Sequence, residues 1–98
     1  MFVHTVFFWL KKDITAENRA LFERELKTLT AIPSAKSGFC GKPAATDRPV
    51  VDRSYDYGLT VMFDGLAGHD AYQIDPLHKK FLNDCSGFWT KVLVYDYE

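Results

Sequence analysis

The stretch Phe2-Val3-His4-Thr5-Val6-Phe7-Phe8-Trp9-Leu10 decides the fold. It is dense in aromatic and β-branched residues, which marks a strand. Alternation sends Phe2, His4, Val6 and Phe8 to one face and Val3, Thr5, Phe7 and Trp9 to the other. Both faces are mostly apolar. A strand of an open antiparallel sheet normally wets one face, so this one needs cover on two sides. The stretch is not read as a secretory signal. It has no basic leader, His4 interrupts it, and Lys11-Lys12-Asp13 stand where small cleavage-site residues belong. It is also too short to cross a bilayer.

Downstream, Thr15 is a suitable N-cap, Glu17 suits a first helical turn, and Ile32-Pro33 stops the helix. Between them Leu21, Phe22, Leu26 and Leu29 recur at helical spacing, with Glu23, Arg24 and Lys27 on the other side. Residues 35–42 read as a weak, glycine-bearing second strand. Residues 43–53 form a polar connector that could be a lid or an arm across a dimer. Tyr55, Tyr57, Leu59, Val61 and Phe63 alternate with Asp56, Gly58, Thr60 and Met62, which predicts a third strand. Asp64 is expected to cap a short helix over 65–74. Asp75-Pro76 then restarts the chain as a new helix, aspartate at the N-cap and proline at the first position, running to Gly87 or Phe88. A fourth strand over 91–97 follows.

The order β-α-β-β-α-β, with the second helical segment broken, is the ferredoxin-like α+β pattern with a four-stranded antiparallel sheet. Two helical layers' worth of apolar strand faces stand against one layer of helices. The uncovered face carries side chains that water disfavours by about 25 cal/mol per Å². Two such sheets meeting face to face remove the difficulty, so a homodimer through the sheet face is expected, closing a dimeric α+β barrel.

Bulk properties agree. The chain of 98 residues fits a single domain over 1–98. A chain of this size buries only about 60–65% of its unfolded surface, so association helps it. Aromatics make up 15% of the residues, more than one modest core needs, which points to an interface or a pocket. A net charge of −1 with scattered basic residues gives no reason to expect nucleic acid or an acidic membrane as partner. Cys40 and Cys85 match no metal or redox spacing and read as free thiols of a reducing, cytoplasmic compartment.

Three landmarks occur in order along the chain. His4 lies in the N-terminal apolar strand, and Tyr72 to His78 has the form Tyr-x-x-Asp-Pro-x-His. The end of the chain reads Phe88-Trp89-x-Lys91-Val92-Leu93-Val94-Tyr95-Asp96-Tyr97. Together they resemble the stress-responsive A/B barrel (Dabb) family over Phe2 to Tyr97. The resemblance implies a ferredoxin-like monomer paired into a dimeric α+β barrel, and most members of the family have no assigned activity. One plant branch, olivetolic acid cyclase, closes a linear polyketide by an aldol reaction without metal or cofactor. There a histidine acts as base beside a tyrosine, and His78 and Tyr72 occupy the matching places. The resemblance further implies pocket counterparts in His4, Phe22, Leu26, Leu59, Phe81 and Trp89. Where the family often has a histidine before the proline, this chain has Asp75.

The residues themselves allow that chemistry. His78 falls in the first turn of a helix, where the dipole disfavours imidazolium while the Asp75 carboxylate favours it. A neutral imidazole near pH 7 can accept a proton, and a phenol beside it can orient it or stabilise an enolate. The same pattern also reads as packing, since His78, Phe81, Leu82 and Cys85 form one helical face. Asp75 reads as an N-cap and His69, beside Asp70, as a surface residue. The histidines show no metal spacing, and no carboxylate or cysteine completes a set, so no cofactor or metal is expected. Two functions remain open. One is a cofactor-free enzyme (cyclase-, isomerase- or monooxygenase-like) acting on a small hydrophobic carbonyl compound. The other is a non-catalytic dimer, stress-related or ligand-carrying.

Overall fold

The computed structural model describes residues 1–98. β1 (Phe2–Leu10) lies inside a four-stranded antiparallel sheet, between β3 (Tyr57–Phe63) and β4 (Trp89–Tyr97), with β2 (Ser37–Gly41) at the far edge beside β3. The register runs Phe2 opposite Phe63 and Phe8 opposite Tyr57 on one side, and Val3 opposite Tyr97 on the other. Residues directly opposite share a face. Phe2, His4, Val6 and Phe8 therefore join Tyr57, Leu59, Val61 and Phe63 under the helices. Val3, Thr5, Phe7 and Trp9 join Thr60, Met62, Leu93, Tyr95 and Tyr97 on the open side. The Thr5 and Thr60 hydroxyls meet at 3.3 Å on that open side. The ferredoxin-like order expected from the alternation is thus the fold observed.

α1 (Ala16–Leu29) starts where Thr15 Oγ1 accepts from the Asn18 N–H at 3.0 Å. It buries Phe22, Leu26 and Leu29 against the sheet. β2 passes so close to its end that a Cβ at Gly38 would lie 3.0 Å from Thr30 Cβ, which accounts for the glycine. α2 (Leu66–Gln73) and α3 (Pro76–Cys85) meet at a break held by two bonds. The Asp75 N–H donates to the Tyr72 carbonyl at 3.2 Å, and the Asp75 carboxylate accepts from the Leu77 N–H at 2.8 Å. No helix is long and apolar enough to cross a membrane.

Several boundaries differ from the sequence reading. Asp64 does not cap α2. Gly65 occupies the N-cap with no side-chain bond, and the Asp64 carboxylate accepts from Lys36 Nζ at 3.0 Å instead. α3 ends at Cys85, because residues Ser86–Phe88 tighten into a 3₁₀ turn around Gly87. That turn lets β4 begin at Trp89, before Lys91. β2 is shorter than 35–42. Tyr55 leaves the alternation of β3 and packs on Phe7, at 4.8 Å between ring centroids, on the opposite face from Tyr57.

Candidate functional site

The break between α2 and α3 turns two helix faces toward one place. Tyr72, in the last turn of α2, is 1% exposed, and its ring lies 4.9 Å from that of His78 in the first turn of α3. On the sheet side, His4 of β1 meets the Tyr72 ring edge-on at 5.6 Å. His78, Tyr72 and His4 are therefore neighbours. His78 Nδ1 is buried and has no hydrogen-bond partner.

Electrostatics keeps the groups neutral. Burial pushes the His78 pKa below its usual value, helped by nearby His4 and His69, while the Gln73 backbone and Asp75 pull it back. For His4, burial outweighs a charge-assisted contact with Asp96, whose carboxylate lies 2.6 Å from Nδ1. The Tyr72 hydroxyl is raised by burial and stays a phenol. Burial, rather than the balance of dipole and Asp75, thus tips His78 toward a neutral imidazole.

The other expected pocket residues come from four different elements. Phe22 and Leu26 come from α1, Leu59 from β3, Phe81 from α3 and Trp89 from the start of β4. Phe22, Leu26, Leu59 and Phe81 are at most 2% exposed, and Trp89 packs against that core. The Phe22, Phe81 and Trp89 rings lie within 6.4 Å of one another. A groove of about 420 Å³ opens between α1 and β2, lined by Glu23, Leu26, Lys27, Cys40, Lys42 and Tyr57 among others. A second, of about 170 Å³, lies beside Phe39 and Phe7. Neither reaches Tyr72 or His78. Tyr57 donates its hydroxyl to the Glu23 carboxylate at the wall of the first groove. Neither thiol is poised as a nucleophile, for burial raises Cys40 and pushes Cys85 up to about 12.

Two residues were missed. His69 is not a surface group. Its ring packs at a tilt against Phe2 at 4.7 Å and His4 at 5.1 Å, because α2 turns that face onto the sheet. The available signal was its spacing of three from Tyr72, which puts both on one helix face. Asp96 faces His4 only through the pairing of β1 with β4, a register no local pattern reveals. These two also complete a grouping with His4 that sequence spacing does not show. Imidazole nitrogens of His4 and His69 and a carboxylate oxygen of Asp96 all lie within 4.8 Å of one another.

Comparison with known proteins identifies a family and a fold. The family model for the stress responsive A/B barrel domain matches residues 2–98. Olivetolic acid cyclase of Cannabis sativa is 26% identical over 95 residues, covering 96% of this chain and 92% of the relative. A Dabb family protein of ferredoxin-like fold from Mesorhizobium loti superposes with a TM-score of 0.78 at 26% identity, over 99% of this chain and 94% of the other. A dimeric ferredoxin-like protein of unknown function from Thermobifida fusca gives 0.78 at 23% identity, over 98% and 88%.

Proposed function

Because this chain belongs to the stress-responsive A/B barrel domain family, we propose that it works as a homodimer whose His78 and Tyr72 perform cofactor-free proton transfer on a small hydrophobic carbonyl compound. The observation that carries this is the buried, unpartnered Nδ1 of His78 on an imidazole 4.9 Å, ring to ring, from a buried phenol. A buried polar atom left without a partner costs about 1–3 kcal/mol, a cost that a ligand's proton would relieve. His78 takes the proton from the carbon next to the carbonyl, and the C–H electron pair moves into an enolate. The Tyr72 hydroxyl donates a hydrogen bond to the enolate oxygen. When the enolate carbon attacks a second carbonyl, the new alkoxide takes the proton back from His78. The relationship to olivetolic acid cyclase supports this class of reaction for the present chain.

Homodimerisation rests on the open sheet face, where Phe39, Tyr95 and Tyr97 are largely exposed, and on a structural neighbour that is dimeric. A second reading has its own observation. The expected pocket residues Phe22, Leu26, Leu59 and Phe81 are closely packed, and the grooves lie elsewhere, which favours a non-catalytic dimer.

Deuterium uptake next to the carbonyl of small hydrophobic ketones and linear poly-β-keto compounds, followed by NMR in D₂O, separates the two. The enzymatic reading expects accelerated exchange that falls by about 10²–10⁴-fold in a folded His78→Ala variant. Exchange at the rate of buffer alone leaves the non-catalytic reading, and accelerated exchange untouched by that variant removes His78 as the base.

A further inference from the structure

We infer that His4, His69 and Asp96 form a binding site for one divalent first-row transition ion, Zn²⁺ foremost. The residues are distant in sequence and come from three different elements, β1, α2 and β4. The β1–β4 register places Asp96 opposite His4, and the face that α2 lays on the sheet brings His69 to within 5.1 Å of the His4 ring. One donor atom from each residue lies within 4.8 Å of the other two.

Two imidazoles and one carboxylate form a donor set of borderline softness, suited to Zn²⁺ and its neighbours rather than to Ca²⁺ or Mg²⁺. Donors on one ion, with bonds of about 2.1 Å, lie about 3–3.5 Å apart. Side-chain movements of about an ångström therefore close this set on a metal, with the His4–Asp96 hydrogen bond exchanged for two metal bonds. Three protein ligands leave at least one position open for water or a ligand atom.

The surroundings resemble those of a built site. Gln73 lies 3.2 Å from Nε2 of His69 and Asp70 lies 3.3 Å from its Nδ1, so binding an ion releases one of these two bonds and keeps the other as the outer partner that orients the ring. The His69 side chain is 15% exposed, and the rings of Phe2, His4 and Phe63 surround it. An ordinary surface histidine needs no such enclosure. The bland account is a His4–Asp96 hydrogen bond with His69 as packing. What favours the metal reading over it is that donor atoms from three separate elements, two imidazoles and a carboxylate, converge within 4.8 Å. The inference goes beyond the proton chemistry at His78 and does not depend on it.

The test is calorimetric titration of ZnCl₂ into the tag-free, chelator-treated full chain, repeated with CoCl₂ to read the coordination sphere by its visible absorption. One ion per chain is expected, with at least about tenfold weaker binding in His69→Ala and in Asp96→Asn. His69→Gln, which keeps more of the ring's volume, serves if the alanine variant unfolds by circular dichroism. Three results overturn the site: no binding below millimolar Zn²⁺, unchanged affinity in both the His69 and Asp96 variants, or binding lost instead in Cys40→Ser. Unchanged deuterium exchange at ketones bears on His78 alone and leaves this test standing.

Discussion

On the helix side of the sheet Leu59, Val61 and Phe63 are at most 2% exposed, whereas on the far side Phe39, Tyr95 and Tyr97 stand 77%, 58% and 62% exposed. The same strands build both faces, and both faces are apolar. The difference lies in what covers them. α1, α2 and α3 cover one face over β1 and β3, leaving Val92 and Val94 of β4 43% and 45% exposed on that side, and bring His4, His69, Tyr72 and His78 together beneath them. The open face holds no histidine, and its chief chemical property is apolar area. Burying a polar group is costly unless a fold positions a partner for it, while an open apolar face needs nothing more specific than a complementary surface. The proposed chemistry and the proposed association thus fall on opposite sides of one sheet.

The largest expected effect tests the covered face. Phe22 is fully buried among Phe8, Tyr57, Phe81 and Trp89. Phe22→Ala should cost about 3–5 kcal/mol in urea unfolding, from lost transfer energy and the cavity left behind. A cost below about 1 kcal/mol would mean that the covered face is not the core, and the contrast between the faces would collapse.

The open face gives the next largest effect. Phe7 stands opposite Leu93 and beside Gly58, in the middle of that face. Phe7→Glu should weaken the proposed dimer by about 2 kcal/mol, roughly thirtyfold in dissociation constant. Light scattering after gel filtration would then give the mass of a single chain at concentrations where the native protein gives two. Far-UV circular dichroism should be unchanged. If the native chain is monomeric throughout, the open face serves some other partner.

How much of this was legible in the sequence follows from the range of the interactions. Strand β1, helix α1 and the Asp75-Pro76 restart were readable because alternation, helical spacing and capping are local signals. So was the neighbourhood of Tyr72 and His78, which flank one break in the chain. The role of Asp64 was misread because a long-range partner, Lys36, competes for a side chain that local pattern assigned to a cap. His69 and Asp96 were missed for a related reason. Their partner, His4, is far away in sequence, and only strand register and the seating of α2 bring them to it. The openness of the core is equally hidden, since the same apolar residues can pack tightly or line a cavity.

Asp75 links the two kinds of signal and carries a smaller prediction. Its carboxylate caps α3, the helix that presents His78 to the covered face. Asp75→Ala should cost about 1 kcal/mol, whereas Asp75→Asn, which still accepts from the Leu77 N–H, should cost much less. If deuterium exchange at ketones falls in step with stability in Asp75→Ala but survives in Asp75→Asn, the residue acts by positioning His78. A loss of exchange in both would instead assign the carboxylate's charge a role in the chemistry.

The gentlest way to set the two faces against each other is acid. Burial lowers the pKa of His4 and His78 from the ordinary 6.5, so both bind protons less readily folded than unfolded. A group with a depressed folded pKa contributes stability that is fully present above its unfolded value and is lost as pH falls toward the folded one. Unfolding free energy should therefore decline gradually as pH drops from 7.5 through 6.5 toward 6, before carboxylates begin to titrate. This weakness belongs to the covered side, because all three histidines of the chain lie there. His78→Gln should flatten the decline in part, with His4 accounting for what is left. Phe7→Glu, which alters only the open face, should leave the slope of a monomeric sample as it was. A slope that vanished in Phe7→Glu would place the acid sensitivity in the association of two sheets rather than beneath the helices.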